Sequence, residues 1–159
     1  MKYFIGNWKM FGIPGSIKIL DRINNYVKKD KARSKNYKVI ISPPYTLLEN
    51  FTKSFKNKKI SISAQNCFHK NNYGSHTGFV SPYMIKKLGV KHVIIGHSEN
   101  REAGENNHIL KEKVLASVKN NLNIIFCIGE NKYEKRKKLT LNVLKNQIRK
   151  SLDKKYDFK

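Results

Sequence analysis

The sequence predicts an α/β fold with five parallel β-strands and outer helices, forming part of an eight-stranded barrel that is not closed. Short apolar runs begin near positions 3, 38, 60, 92 and 123 and alternate with helix-like stretches. This alternation is typical of right-handed βαβ units, which make the sheet parallel. The chain has 159 residues, whereas a closed barrel of this kind typically needs ~250. We therefore expect a single domain, 1–159, with about five strand–helix units.

Apolar runs bounded by turn residues predict five strands: Tyr3–Lys9, Lys38–Ser42, Ile60–Ala64, Lys91–Ile95 and Asn123–Ile128. The fourth and fifth runs are almost continuously apolar, which is typical of strands buried on both faces. Apolar residues at helical spacing predict a helix from Ser16, its expected N-cap, to about Lys29. Further helices are predicted over 45–55, 82–88, 107–120 and 139–152.

The chain carries a net charge of +22, and 28 of its 33 basic residues are lysines spread along its whole length. Such a charge is compatible with a nucleic-acid or anionic-membrane surface. A phosphate-binding surface favours arginine forks and interleaved aromatics, and neither is evident here. An abundance of Lys, Asn and Ile is also what an A/T-rich gene would encode. We therefore expect no specific nucleic-acid partner.

Other features of the composition bear on location and metal content. No run approaches the ~18 apolar residues of a membrane span, and the first residues are too polar for a signal peptide. The two cysteines, Cys67 and Cys127, have neither metal-ligand spacing nor a disulfide framework. We expect a cytoplasmic protein with no membrane partner and no metal.

Polar clusters end four of the predicted strands: Asn7-Trp8-Lys9, Gln65-Asn66, His97-Ser98-Glu99 and Cys127-Ile128-Gly129-Glu130. Active sites of α/β barrels are built at this end of the strands. Asn7 and Lys9 are two residues apart on a predicted strand, so they are expected on one face. Together they would hold a polar, anionic ligand. The alternative is a lysine that extends from a sheet margin into water.

His97 follows Gly96 directly after a buried strand, and a short helical turn is expected from Ser98. Below helix N–H groups a histidine stays neutral and donates a hydrogen bond that polarises a carbonyl. The alternative is a structural histidine bonded to nearby backbone. Glu99 is expected to be buried and to need a cation, which Lys9 or Arg101 would supply. Alternatively, it complements the helix dipole.

The remaining polar residues have supporting assignments. Cys127 is expected in the core of a buried strand, and Glu130 either pairs with a basic group or starts a helix. Gln65 and Asn66 order the loops around the site or cap the strand end. The ~15-residue loop 66–81 is long enough to be functional or disordered. We expect an ordered tip that docks on a second subunit, with a floppy surface loop as the alternative.

In order and spacing, six segments of this chain resemble the triosephosphate isomerase family: Gly6-Asn7-Trp8-Lys9-Met10, Ser63-Ala64-Gln65-Asn66, His76-Thr77-Gly78, Val80-Ser81-Pro82, Ile95-Gly96-His97-Ser98-Glu99 and Cys127-Ile128-Gly129-Glu130. The resemblance implies a partial TIM (βα)8 barrel. It also implies interconversion of dihydroxyacetone phosphate and glyceraldehyde 3-phosphate, a step of glycolysis and gluconeogenesis. It implies no metal and no organic cofactor.

The resemblance also assigns roles to residues. Lys9 stabilises the negative charge of the triose phosphate and of the enediolate, and Asn7 fixes the geometry. His97 is the catalytic electrophile, kept neutral as is known for this family. Glu99 orients Lys9 and His97, and a supporting shell surrounds them: Ser98, Cys127, Glu130, Gln65 and Asn66. Thr77 and Phe79 lie at the expected homodimer contact, where Thr77 reaches the partner's site.

The sequence departs from the family pattern at three positions. Phe11 stands where the family usually has Asn, Phe79 where it has Glu, and Asn100 where it has Arg. That Glu and Arg form an ion pair across the family's dimer contact. Because both are replaced here, no orphaned buried charge arises, which would cost ~3–5 kcal/mol. The contact is therefore expected to be apolar or weaker.

The family's catalytic glutamate follows the sixth strand, and its phosphate-gripping loops follow strands seven and eight. We therefore expect the chain to be a C-terminally truncated member with no more than trace activity, since a positioned base contributes ~100- to 10,000-fold. Two alternatives remain open. One is a half-barrel module that assembles with a separately made half. The other is a basic protein that binds anions or nucleic acid nonspecifically.

Overall fold

The structure is a computed structural model that describes residues 1–30, 36–56 and 58–153. Its strands are parallel and lie side by side in sequence order: β1 Lys2–Asn7, β2 Tyr37–Ser42, β3 Ile60–Ala64, β4 His92–Ile95 and β5 Asn123–Phe126. The predicted open sheet of five parallel strands is confirmed. Residues 154–159 of the predicted domain lie outside the described residues.

Helices connect the strands at each crossover, as parallel pairing requires. They are α1 Ile17–Lys29, α2 Tyr45–Ser54, α3 Pro82–Lys87, α4 Ser98–Glu102, α5 Asn107–Lys119, α6 Lys132–Arg136 and α7 Thr140–Ser151. A 3-10 turn at Pro14–Ser16 precedes α1. The core lies between the sheet and these helices, where Leu20, Phe51, Val93 and Leu110 are fully buried. No helix in the described residues is long and apolar enough to span a membrane.

Two local predictions are wrong. The first strand ends at Asn7, and Lys9 has a left-handed φ of 52°, so the same-face argument for Asn7 and Lys9 does not apply. Ser16 stands at the N-cap position of α1 as predicted, but its side chain makes no capping bond to the helix, since its Oγ accepts the backbone N–H of Ile13 at 3.1 Å. β5 also stops two residues before Ile128, at Phe126.

The sheet has two open edges within the described residues, because β1 pairs only with β2 and β5 only with β4. Apolar side chains of β1 remain exposed: Tyr3 is 53%, Phe4 57% and Ile5 41% accessible. A hollow of about 1010 Å³ lies beside this strand, between Phe4 and Val27. The open barrel edge thus coincides with an apolar surface, a combination that favours association with another polypeptide.

Candidate active site

His97 sits where β4 passes into α4. Its Nδ1 accepts the backbone N–H of Glu99 at 3.3 Å. The Oε2 atom of Glu99 lies 3.6 Å from the same nitrogen, beyond hydrogen-bonding distance, so the backbone is the partner. In a neutral imidazole whose Nδ1 is an acceptor, the proton resides on Nε2. The bond to nearby backbone that the structural alternative required is therefore present, and it leaves Nε2–H as a donor for a ligand.

Lys9 and Glu99 form an ion pair across 90 residues of sequence, with 2.7 Å between Nζ and Oε1. The hydrogen bond from Lys9, together with the charges of Lys9 and His97, lowers the pKa of the Glu99 carboxyl. Lys9, not Arg101, is thus the cation that Glu99 contacts. The expectation of a buried carboxylate is wrong, because the Glu99 side chain is 55% exposed.

Asn7 and Gln65 both hold the backbone of Lys9. The Oδ1 atom of Asn7 accepts the Lys9 N–H at 2.9 Å. The Nε2 group of Gln65 donates to the Lys9 carbonyl at 2.8 Å and to the Ser42 carbonyl at 2.9 Å. Gln65 therefore joins the ends of β1, β2 and β3 at the lysine.

Arg101 joins the ends of β4 and β5. Its Nε donates to the Gly96 carbonyl at 2.8 Å, and its Nη2 donates to the Cys127 carbonyl at 3.1 Å. Gly96 has φ +81°, and a Cβ there would lie 2.9 Å from the Cys127 oxygen. In the sequence, Arg101 is predicted only as a cation for Glu99. Its place one helical turn beyond His97 was the available signal for a structural role.

Asn66 points away from Lys9 and joins a buried charge cluster. Its Nδ2 donates to Glu105 at 2.8 Å, and its Oδ1 accepts from Lys113 Nζ at 2.9 Å and from the Cys67 N–H at 2.8 Å. Lys113 and Glu105 form an ion pair whose side chains are only 6% and 17% exposed. Asn66 thus fixes the loop after β3 to α5. Sequence reasoning missed Lys113 and Glu105, although a lysine on the buried face of α5 is a recognisable anomaly.

A cleft of about 620 Å³ opens beside His97. Ser98, Cys127 and Glu130 line it together with the histidine. Cys127 follows the end of β5 and is half-buried in the cleft wall, so its expected place in the strand core is wrong. Partial burial raises the pKa of its thiol. The cleft therefore lies at the carboxyl ends of β4 and β5, and its lining does not include Lys9 or Asn7.

The loop that contains Glu130 is fixed by α7. The carboxamide of Gln147 accepts the Gly129 N–H at 3.0 Å and donates to the Gly129 carbonyl at 2.8 Å. Of the two possibilities for Glu130, pairing with a basic group is not seen in the described contacts. Its Oε1 instead accepts from the Thr140 hydroxyl at 3.4 Å.

The loop 66–81 presents exposed residues at its tip. Thr77 is exposed, and the Phe79 side chain is 59% accessible. Inside the loop, the Phe68 ring packs in a tilted orientation against Phe79 and His76, with ring centroids 4.3 Å and 4.7 Å apart. A backbone bond of 2.8 Å from the Phe68 N–H to the Val80 carbonyl closes the base of the loop. The packed rings thus give the tip a defined shape. Within the described residues, no group of three or more His, Cys, Asp or Glu side chains is arranged to hold a metal ion.

Comparisons with known proteins agree on one family. The family model described as triosephosphate isomerase matches residues 2–159. The triosephosphate isomerase of Thermodesulfovibrio yellowstonii is 38% identical over 153 residues, which cover 95% of this chain and 60% of that protein. The triosephosphate isomerase of Thermoanaerobacter pseudethanolicus is 35% identical over 149 residues, which cover 92% and 58%.

A crystal structure of triosephosphate isomerase from Bartonella henselae superposes with a TM-score of 0.89 at 34% identity. The superposition covers 97% of this chain and 62% of that one. The chain thus spans about three-fifths of the length of the relatives it matches. Its five strands correspond to part of a TIM barrel, and the chain belongs to the triosephosphate isomerase family, a family of isomerases.

Proposed function

We propose that this chain binds a triose phosphate and supplies the electrophilic part of the interconversion of dihydroxyacetone phosphate and glyceraldehyde 3-phosphate. The observation that carries the proposal is the state of His97, whose Nδ1 is occupied by the Glu99 N–H. Its Nε2–H is then available to a substrate carbonyl oxygen. Such a donor stabilises the negative charge that develops on that oxygen when the α-proton is removed.

Lys9 complements this donor as the second positive group of the site. Glu99 contacts Lys9 at 2.7 Å and donates its backbone N–H to His97. One residue therefore orients both proposed substrate-binding groups. The ammonium attracts the phosphate dianion and stabilises the enediolate.

The proton transfer itself needs a base. In the family a glutamate after the sixth strand performs it, and the described residues form five strands. The proposal therefore assigns this step to a carboxylate outside the described residues. The 159-residue chain alone should show no more than trace turnover, because a positioned base contributes ~100- to 10,000-fold.

Substrate binding is tested by NMR titration of the chain with dihydroxyacetone phosphate. The His97 imidazole signals should shift on titration, and Lys9→Met should weaken the shift. Lys53→Met is the matched control, because Lys53 pairs with Glu49 on the exposed surface of α2. Shifts of equal size in both variants would contradict the assignment of Lys9.

Turnover is tested with a coupled dehydrogenase assay on the purified chain. A rate in the usual enzyme range, with kcat of roughly 1–1,000 per second, would contradict the assignment of the base to a glutamate after a sixth strand.

We further propose a cytoplasmic homodimer of the full-length form, with contact through the loop that carries Thr77. The exposed Phe79 supports an apolar contact in place of the family's ion pair. Sedimentation of the chain joined to the remaining part of the barrel should show a dimer, and Phe79→Lys should shift it towards monomer. A variant that stays fully dimeric would exclude Phe79 from the contact.

A second candidate is a half-barrel that assembles with a separately made half. The exposed side chains Tyr3, Phe4 and Ile5 beside the hollow at β1 favour it. Mixing this chain with the part of the Thermodesulfovibrio yellowstonii isomerase that follows its matched region should then restore turnover. Ile5→Lys, at the open edge, should prevent the restoration. Absence of turnover in a stable mixture would argue against assembly.

A further inference from the structure

Lys9 adopts a backbone conformation that its own side chain disfavours. Its φ of 52° lies in the left-handed region, where a lysine has no intrinsic preference to be. A non-glycine residue stays there only when neighbouring groups hold it. The conformation therefore requires partners on both sides of the residue.

Those partners come from two different strands. On one side, Asn7 Oδ1 accepts the Lys9 N–H at 2.9 Å. On the other, Gln65 Nε2 donates to the Lys9 carbonyl at 2.8 Å. Asn7 is a neighbour in sequence, so it moves with the lysine. Gln65 is 56 residues away at the end of β3, and it ties the lysine to the rest of the sheet.

The same Gln65 amide is anchored a second time. It donates at 2.9 Å to the carbonyl of Ser42, which also accepts the Trp8 N–H at 3.0 Å. Asn7 and Ser42 are paired in the β1–β2 register. The carboxamide thus bridges the last pair of the β1–β2 ladder and the turned lysine beyond it.

We propose that Gln65 is a positioning residue for Lys9, whose carboxamide locks the lysine backbone against the end of β2 and so aims the ammonium at Glu99 and the substrate. Without this bridge, φ at Lys9 is free to relax towards about −60°, a rotation of roughly 110°. Such a rotation redirects the Cα–Cβ bond, and Nζ then leaves its place 2.7 Å from Glu99. Gln65 acts without touching either charged group.

The assignment rests on the proposed function for its catalytic meaning, but its test needs no turnover. Glu99 reports the position of the ammonium, because its carboxyl pKa is lowered chiefly by the hydrogen bond from Lys9. The pKa is measured by carbon-13 NMR titration of the full 159-residue chain. Lys9→Met removes the ammonium and should raise the pKa towards the ordinary glutamate range. Gln65→Met, of similar length without donors, should reproduce most of that rise.

Gln147→Met is the matched control. It removes a similar carboxamide bridge, the one that holds Gly129, and should leave the pKa of Glu99 unchanged. A folded Gln65→Met chain with the wild-type pKa for Glu99 would overturn the proposal. So would an equal rise in Gln147→Met.

If Gln65→Met does not fold, the proposal is tested by NMR on the unmodified chain. A scalar coupling across the hydrogen bond, from the Gln65 side-chain nitrogen to the Lys9 carbonyl carbon, is then expected. Its absence, with the other backbone couplings of the sheet detected, would equally overturn the assignment. Neither the pKa of Glu99 nor the scalar coupling involves substrate. A result that contradicts the role of Gln65 therefore does not contradict the proposed isomerase function, and a result that contradicts that function does not contradict the role of Gln65.

Discussion

Removal of the Lys113 ammonium is expected to lower the free energy of unfolding more than removal of any charged side chain on the exposed surface. Its side chain is 6% exposed, and it neutralises Glu105, whose side chain is 17% exposed. The Oε2 atom of Glu105 has no hydrogen-bond partner among the described residues. In Lys113→Met the carboxylate would keep only the hydrogen bond from Asn66. A buried charge left without its counter-ion costs ~3–5 kcal/mol.

This magnitude is large against the ~5–15 kcal/mol of a typical domain. It corresponds to a loss of roughly 6–20 °C in Tm for a chain of this size. Urea unfolding measures the free energy directly. The matched control is Lys53→Met, which breaks an exposed i,i+4 pair with Glu49 and should cost ~0–1 kcal/mol.

The double variant Lys113→Met with Glu105→Gln separates the two causes of the loss. Removing both charges should recover a substantial part of the stability, because no unpaired carboxylate remains. A Lys113→Met chain that is destabilised no more than Lys53→Met would refute the reasoning. It would show that the cluster is solvated in solution.

Three further outcomes are expected. Gly96→Ala should lower the free energy of unfolding by ~1–3 kcal/mol, because its Cβ would lie 2.9 Å from the Cys127 oxygen at a φ of +81°. The control is Gly15→Ala, whose Cβ would lie in open space. Equal urea midpoints for the two variants would contradict this prediction. Burial raises the pKa of the Cys67 thiol to about 11 from 9.0, so the fraction present as thiolate at pH 8 falls ~100-fold. Alkylation of Cys67 should therefore be at least ~100-fold slower in the folded chain than in urea. Equal alkylation rates would contradict this prediction. The pKa of the Glu99 carboxyl is lowered in the folded chain, so its ionised form stabilises the fold above the ordinary pKa of ~4.3, and this stabilisation is lost as pH falls through the folded pKa. In acid, the urea midpoint of Glu99→Gln should therefore drop less than that of the wild-type chain. Parallel pH profiles of the two midpoints would show that Glu99 does not contribute to the pH dependence of stability.

The strands were predictable because short apolar runs bounded by turn residues leave a simple signature, although the expected burial of β5 on both faces is wrong, since none of its residues is fully buried. The apolar runs at β4 and β5 have turn residues on both sides, and only their ends shifted in the structure. Polar residues follow both strands at one edge of the sheet, since the carboxyl ends of parallel strands lie at the same edge. His97 is the clearest case. The short helical turn predicted after it is α4.

Errors arose where distant contacts decide the local geometry. The pairing of Asn7 and Lys9 on one face assumed a strand that continues through both, but Gln65 turns the chain at Lys9. Asn66 follows Gln65 in sequence and yet points to Lys113 and Glu105 instead. No periodicity encodes that divergence, because the two amides leave the end of β3 towards different neighbours.

Side-chain bridges between loops make the geometry of the candidate site largely independent of how the barrel is completed. Gln65 joins the ends of β1 and β2, Arg101 joins those of β4 and β5, and Gln147 holds the next loop. What the open chain lacks is shelter from water. Lys9 and Glu99 are 50% and 55% exposed, and electrostatic stabilisation is strongest where water is excluded.

A salt titration of the Glu99 pKa tests whether water reaches the ion pair. Raising the salt concentration to about 1 M shortens the Debye length to ~3 Å, so the pKa of Glu99 in the open chain should rise towards its ordinary value. Covering the site with the remainder of a barrel should make that pKa less sensitive to salt, because the pair is then screened less. Equal salt dependence in the open and the completed barrel would mean that completing the barrel leaves the Lys9–Glu99 ion pair equally exposed to water. Any effect of the remaining barrel on catalysis would then have to come from the groups that it adds, not from the exclusion of water.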